Sequence, residues 1–257
     1  MALKQRIEQQ PAWVLHTLPW RETSLIVEVF SRDHGRVALA AKGARRPMSA
    51  LRGVLMGFQP LLMDWTGGGE VKTLIRAEWR GGQPLLTGRA LLCGYYLNEL
   101  LLRLTAREDP HPTLFEAFET ANTALGRGES LSPILRRFEL ALLQELGYGI
   151  ALDSEADQGN AVRSAQTYVY IIEHGPRPIA AHPSQDPAQG SAQDPYPDDG
   201  AEGLTVSGQT LIDMAAGEFS RGETLAQSKR LLRALINHYL GGQQLQSRRV
   251  LKELQEL

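Results

Sequence analysis

The 257 residues are 42% hydrophobic and 22% charged, with a formal net charge of −2, which excludes an intrinsically disordered chain and leaves apolar material for more than one core. A single cysteine, Cys93, set in an apolar helical run, excludes both a disulfide framework and a thiolate zinc site. No stretch is long and apolar enough to span a bilayer, and the first ten residues, MALKQRIEQQ, lack the apolar centre of a signal peptide, so a cytoplasmic protein is expected.

Residues 13–80 read as β structure. WVLHTL is a first strand, and SLIVEVFS a second, with Leu25, Val27 and Val29 on one face. RVALAAK follows a turn at Asp33–Gly35, and FQPLLMDWT is a fourth strand whose Pro60 marks an edge or a bulge. Gly67–Gly69 turns the chain into VKTLIRAEWR; with no Lys-Ser/Thr and no helix after it, this glycine run is a hairpin and not a phosphate-binding loop. Five short strands in so few residues suit a small closed barrel of the OB type.

Between the third and fourth strands lies KGARR, from Lys42 to Arg46, closed by Pro47. With Arg36 before it and Arg52 after, five cations (Arg36, Lys42, Arg45, Arg46, Arg52) occupy 17 residues that hold no carboxylate. Residues 1–80 carry 12 Lys+Arg against 7 Asp+Glu, net +5, while residues 151–205 carry 2 against 9, net −7. A positive field concentrated on a β-domain is a footprint for a polyanion, and Trp20, Phe58 and Trp65 nearby offer faces on which unpaired bases stack. The five cations are therefore the candidate DNA contacts. A module that binds an acidic protein surface without touching DNA is the competing reading.

After Pro84 the period changes to that of helices. Residues 85–104 are apolar enough to be nearly surrounded by protein, 113–125 are amphipathic, and Ser132–Pro133 open a third helix that stops at Gly147–Tyr148–Gly149. Residues 167–181 read as a β-hairpin, 182–203 as a mobile acidic loop, and 208–216 and 223–240 as two more helices before a charged terminal segment. The fold class expected is α+β: a five-stranded OB-fold barrel over residues 1–82, then a mainly α-helical domain over 83–257 with a small β-hairpin. The six histidines are scattered, and HExxH and GxSxG are absent, so neither an enzyme nor a metal or other cofactor is expected.

The chain resembles the bacterial RecO family of recombination mediators. The stretches that carry the likeness are VLHTLPWRETSLIVEVFSRDHGRVALAAKGAR (14–45), GEVKTL (69–74), YYLNELLLRL (95–104), LRRFELALLQELGYG (135–149) and YLGGQQLQSR (239–248). The resemblance implies binding of single- and double-stranded DNA, annealing of complementary strands, partnership with RecR, and help in loading RecA onto strands coated by single-stranded DNA-binding protein (SSB). It also implies that the acidic SSB tail docks on the helical domain. That contact needs a cation for the terminal carboxylate and an apolar pocket for the last aromatic residue. On this sequence the matching helix offers Arg136 and Arg137 beside Leu135, Leu142 and Leu146, with Arg136 as the tail clamp; the other reading makes both arginines ordinary surface or helix-bridging residues. Many relatives carry a four-cysteine zinc module after the LGYG-like stretch; ALDSEADQGN (151–160) stands there instead, without a cysteine.

Overall fold

The structure, a computed structural model, describes residues 6–148, 150–179 and 204–255. It divides into two compact units, one built from residues up to Leu146 and from Asn237 onward, the other from Gly147–Ile236. In the first, β1 (Arg6–Trp20), β2 (Ser24–Ser31), β3 (Gly35–Ala41), β4 (Pro60–Thr66) and β5 (Val71–Trp79) close a barrel in the order β1-β2-β3-β5-β4, and a one-turn helix α1 (Leu51–Val54) bridges β3 and β4. Every pairing is antiparallel except β3 with β5. This is the OB-like barrel expected from the sequence.

β1 starts seven residues earlier than its apolar pattern indicates, because pairing and not alternation defines its first half. Residues Arg6 to Trp13 pair with β4, and Ala12 to Trp20 pair with β2, so one long strand closes the barrel on both sides. A bulge at Gln9, where φ is +53°, bends the strand between these partners, and the buried Asp64 carboxylate accepts the Gln9 N–H at 2.7 Å. Pro60 is the first residue of β4, a position at which a missing N–H breaks no ladder. Alternation sends Val27, Val29, Val37, Leu39, Leu61, Met63 and Trp65 into the barrel core.

The outward face of β1–β3 around Trp13, Glu28 and Phe30 is buried as well. α2 (Gly88–Leu104), α3 (Pro112–Gly126) and α4 (Leu131–Glu145) follow the barrel. Phe115 and Phe118 of α3 meet Phe30 at ring-centroid distances of 5.7 and 6.0 Å, and Phe118 also meets Trp13 at 5.8 Å and Phe138 of α4 at 5.9 Å. Each such aromatic pair adds about 0.5–1.5 kcal/mol beyond its buried area. Asn98 of α2 donates to the Leu15 carbonyl at 2.9 Å, which ties the helix to β1 where the sheet edge would otherwise lose a partner. Gly35 (φ +62°) lets the segment after α2 pass over the β2–β3 turn: a Cβ there would stand 2.0 Å from the Asp109 carbonyl oxygen.

In the second unit the expected hairpin, β6 (Thr167–Ile171) and β7 (Gly175–Pro178), gains a third strand, β8 (Leu204–Ser207), on the other side of β6. Four residues are too short to show alternation, so the sequence did not signal β8. α5 (Gly208–Ala215) and α6 (Gly222–Tyr239) follow, the first capped by Ser207, whose Oγ accepts the Thr210 N–H at 3.2 Å. Where relatives are expected to carry a zinc module, the loop folds around the buried Glu155. Its carboxylate accepts from the Tyr168 hydroxyl and from Asn160 Nδ2, each at 3.2 Å. The acidic stretch 182–203 lies outside the described residues. Among the described residues no helix is long and apolar enough to cross a membrane.

The terminal charged segment is a helix, α7 (Gln246–Gln255), moored to α2. Glu99 accepts the N–H groups of Gln246 and Ser247 at 2.8 and 2.9 Å and the Ser247 hydroxyl at 2.7 Å, so one carboxylate satisfies the helix N-terminus and faces its positive end. Burial pushes the Glu99 carboxyl up, but the Ser247 and Gln246 donors outweigh it and hold the group below its ordinary range. The stabilisation is therefore complete at neutral pH and is lost as pH falls through that lowered value. Glu99→Gln is expected to cost about 1 kcal/mol and to speed amide exchange over residues 246–255 several-fold at pH 7; unchanged protection in hydrogen-exchange mass spectrometry would show that α7 is held otherwise.

Candidate nucleic-acid interface

At one end of the barrel the β1–β2 turn and the β3–α1 loop are laced together. Arg45 N–H donates to the Thr23 carbonyl at 2.8 Å, and Gly43 N–H to Ser24 Oγ at 3.3 Å. Gly43 (φ +69°) makes the turn that a side-chain-bearing residue resists, and Pro47 ends it. Lys42, Arg45 and Arg46 are exposed on this loop and Arg52 on α1, and none of the four makes an ion pair among the described residues. Four hydrated, uncompensated cations on one rim form a local positive field in a chain that is acidic overall. Arg21, from the facing turn, adds a fifth, its guanidinium 4.2 Å from the centroid of the Trp20 ring. The sequence reading missed Arg21 because the RET turn is distant in sequence from KGARR; only the closing of β1 on β2 and β3 brings them to one rim.

Arg36 is the exception among the five predicted cations. It shares the outward face of β2–β3 with Glu28 and Phe30, and that face lies beneath the helices. Its guanidinium donates to Glu28 Oε1 at 3.2 Å and to the Thr105 carbonyl at 2.9 Å, while Arg107 grips the same carboxylate with two bonds at 3.0 and 2.8 Å. Burial lowers the Arg36 pKa from its ordinary value, and the bonds to Glu28 raise that of Arg107. Arg36 is thus a corrected assignment: Glu28, eight residues upstream and outside the 17-residue stretch, pairs with it and with Arg107 beneath the helices.

The aromatic assignments change in the same way. Trp65 is 1% exposed within the barrel core, and Phe58 is buried against Tyr95, their ring centroids 5.1 Å apart. Trp20, half-buried, is the one of the three that stands on the rim. The strand face that binds oligonucleotides in many OB-folds, that of strands two and three, is occupied here by α3 and the segment after α2. The rim is open to solvent.

The α4 residues form a second cluster, and an internal one. Arg136, 7% exposed, donates to Glu139 Oε1 at 2.5 Å; the Tyr96 hydroxyl of α2 donates to the same oxygen at 2.6 Å. Arg248 of α7 donates to the Tyr96 oxygen at 3.0 Å and to Asn237 Oδ1 at 2.9 Å. Leu142 is fully buried, and Leu135 and Leu146 are half-buried. Arg137 is exposed, on a different side of the helix. The placing of Arg136 as tail clamp is therefore corrected to the helix-bridging reading: its guanidinium is committed to Glu139, which binds α4 to α2 and through Tyr96 to α7. Burial pushes the Glu139 carboxyl up, against the lowering pull of Arg136 and Tyr96; burial and the adjacent carboxylate keep the Tyr96 phenol protonated and donating. Among the described residues no three His, Cys, Asp or Glu side chains converge as metal ligands.

Residues 5–82 match the family model described as Recombination protein O N terminal, and residues 85–249 match Recombination protein O C terminal. Proteins named DNA repair protein RecO from Aromatoleum aromaticum and from an Azoarcus species are 72% and 70% identical to the chain over 257 residues, covering all of both sequences. One from Nitrosospira multiformis is 48% identical over 254 residues, covering 99% of this chain and 98% of its own.

Arg136→Ala is expected to destabilise the fold by about 3–5 kcal/mol, because it leaves Glu139 buried without its cation. A carboxyl whose folded pKa is raised binds its proton more tightly folded than unfolded, so stability falls as pH climbs from the ordinary carboxylate range. The deficit of the variant should accordingly be larger at about pH 8 than at about pH 5, as read from urea unfolding midpoints. A midpoint equal to that of the parent at both pH values would place Arg136 outside the fold's support.

Proposed function

The chain belongs to the RecO family of DNA repair proteins, and from that premise we propose that it is a DNA-binding recombination mediator. It anneals complementary single strands and, together with RecR, helps to load RecA onto strands coated by SSB, working in the cytoplasm at the nucleoid. The observation that supports this reading best is the barrel rim, where Lys42, Arg45, Arg46 and Arg52 are exposed with no carboxylate paired to them.

The rim does in physical terms what annealing requires. Two strands repel through their phosphates, and fixed cations that neutralise phosphates on both lower that repulsion, with no catalytic group and no nucleotide consumed. Nothing on the rim forms a fixed donor–acceptor pattern against base edges, so binding is indifferent to sequence. The acidic SSB tail and RecR remain the proposed protein partners. With Arg136 and Leu142 internal, the tail contact is not assigned to that pair.

If about four phosphates are neutralised, log affinity for a single strand falls with log salt concentration at a slope of roughly −3. Changing Lys42, Arg45 and Arg46 together to Ala should reduce the slope to about −1 and weaken binding at low salt, with the unfolding midpoint unchanged. Fluorescence anisotropy with an oligonucleotide of arbitrary sequence measures both. A salt-independent affinity, or none at all, would favour the adaptor that binds an acidic protein surface.

A further inference from the structure

The laced turn and loop flank an open surface cleft of about 400 Å³. Trp20, Arg21 and Glu22 line it from the β1–β2 turn, and Lys42, Gly43 and Arg46 from the β3–α1 loop. Of the four tryptophans, Trp13 and Trp65 are 1% exposed, and Trp79 is 51% exposed with its indole N–H donated to the Val54 carbonyl at 3.1 Å. Trp20, half-buried, lines this cleft beside Arg21, Lys42 and Arg46. We propose that this cleft seats one unpaired nucleotide, its base stacked on the Trp20 indole and its phosphates held by Lys42 and Arg46. The proposal rests on the DNA-binding reading above and adds a preference for single strands to it.

Three features of the cleft fit that occupant. The Arg21 guanidinium lies 4.2 Å from the Trp20 ring centroid, so a base takes its place on the indole, and Arg21, exposed on the turn (φ +54°), is released to a phosphate. The lacing of Arg45 to Thr23 and of Gly43 to Ser24 holds both walls in place before a ligand arrives, which limits the entropy lost on binding. Glu22 is the one carboxylate on the wall against Arg21, Lys42 and Arg46, and it does not reverse the sign of the field. Because every base has a π-face, the seat tolerates any sequence. A duplex keeps its bases stacked inside and offers nothing to Trp20, so it binds through phosphates alone.

The test uses the whole 257-residue chain and three labelled probes of equal length: a single strand, its duplex, and an abasic single strand that keeps the phosphates. The parent protein should bind the ordinary strand more tightly than the abasic one and show quenching of indole fluorescence only with the former. Trp20→Ala should lose about 5- to 150-fold on the ordinary strand, with little change on the duplex or the abasic strand, and Trp20→Phe should recover part of that loss. Equal affinity of the parent for ordinary and abasic strands, or an equal loss on strand and duplex in Trp20→Ala, overturns the seat. If salt-dependent binding persists in that case, the rim reading stands without the seat; if no probe binds at all, both are overturned.

Discussion

Phe30 and Trp13 point away from the barrel axis and yet are lost to water, because Phe115 and Phe118 close over them while the opposite face of the same strands fills the barrel. Where Phe30 and Trp13 stand the sheet is buried on both faces and leaves no open surface for a ligand, whereas Val71, Ile75 and Trp79 of β5 stay exposed. The helices that follow the barrel are thus part of its architecture, within one compact unit, and they decide which parts of the barrel can meet anything else. The strand-connecting loops stay free to carry function, since a rigid scaffold fixes their ends and leaves their side chains in water.

The same burial sorts the charges. Arg36 lies under the helices, where an unpaired guanidinium would be costly, and there it is found with Glu28, which Arg107 also holds. Lys42, Arg45, Arg46 and Arg52 lie on the rim, where hydration makes an unpaired charge cheap and leaves it available to a polyanion. Two sets of cations close in sequence therefore serve different ends. One set closes the fold and the other presents a field, and the division follows solvent access, not residue type.

The helices repeat this logic in a second network. Tyr96, Glu139, Arg136 and Arg248 come from α2, α4 and α7, and together with Glu99 at the start of α7 they hold the end of the chain against the bundle. The three sequence stretches after the barrel that carry the family likeness, 95–104, 135–149 and 239–248, supply these residues. Part of that likeness thus records internal polar contacts that close the helical bundle, and the arginines in it are not all surface features.

The sequence by itself determined the barrel and the five helices that follow it, α2 to α6. Alternation in SLIVEVFS and RVALAAK, the Asp33–Gly35 turn and the Gly67–Gly69 hairpin are local signals that depend on neighbours within a few residues. The helices α2 to α6 were legible in the same way, from spacing, caps and the glycine stop at 147, but α1 and α7 were not. It did not show the polar start of β1 or the short β8, because each is held by a partner strand and not by a pattern of its own. Which cations are free was a tertiary decision. Glu28 reaches Arg36 through strand pairing and Arg107 through the helix cover, Glu139 takes Arg136 inside the bundle, and Arg21 joins Lys42 and Arg46 at the rim only when the barrel closes. Charge type is written in the chain, but whether a charge is paired or presented depends on burial, which exists only once distant segments have packed.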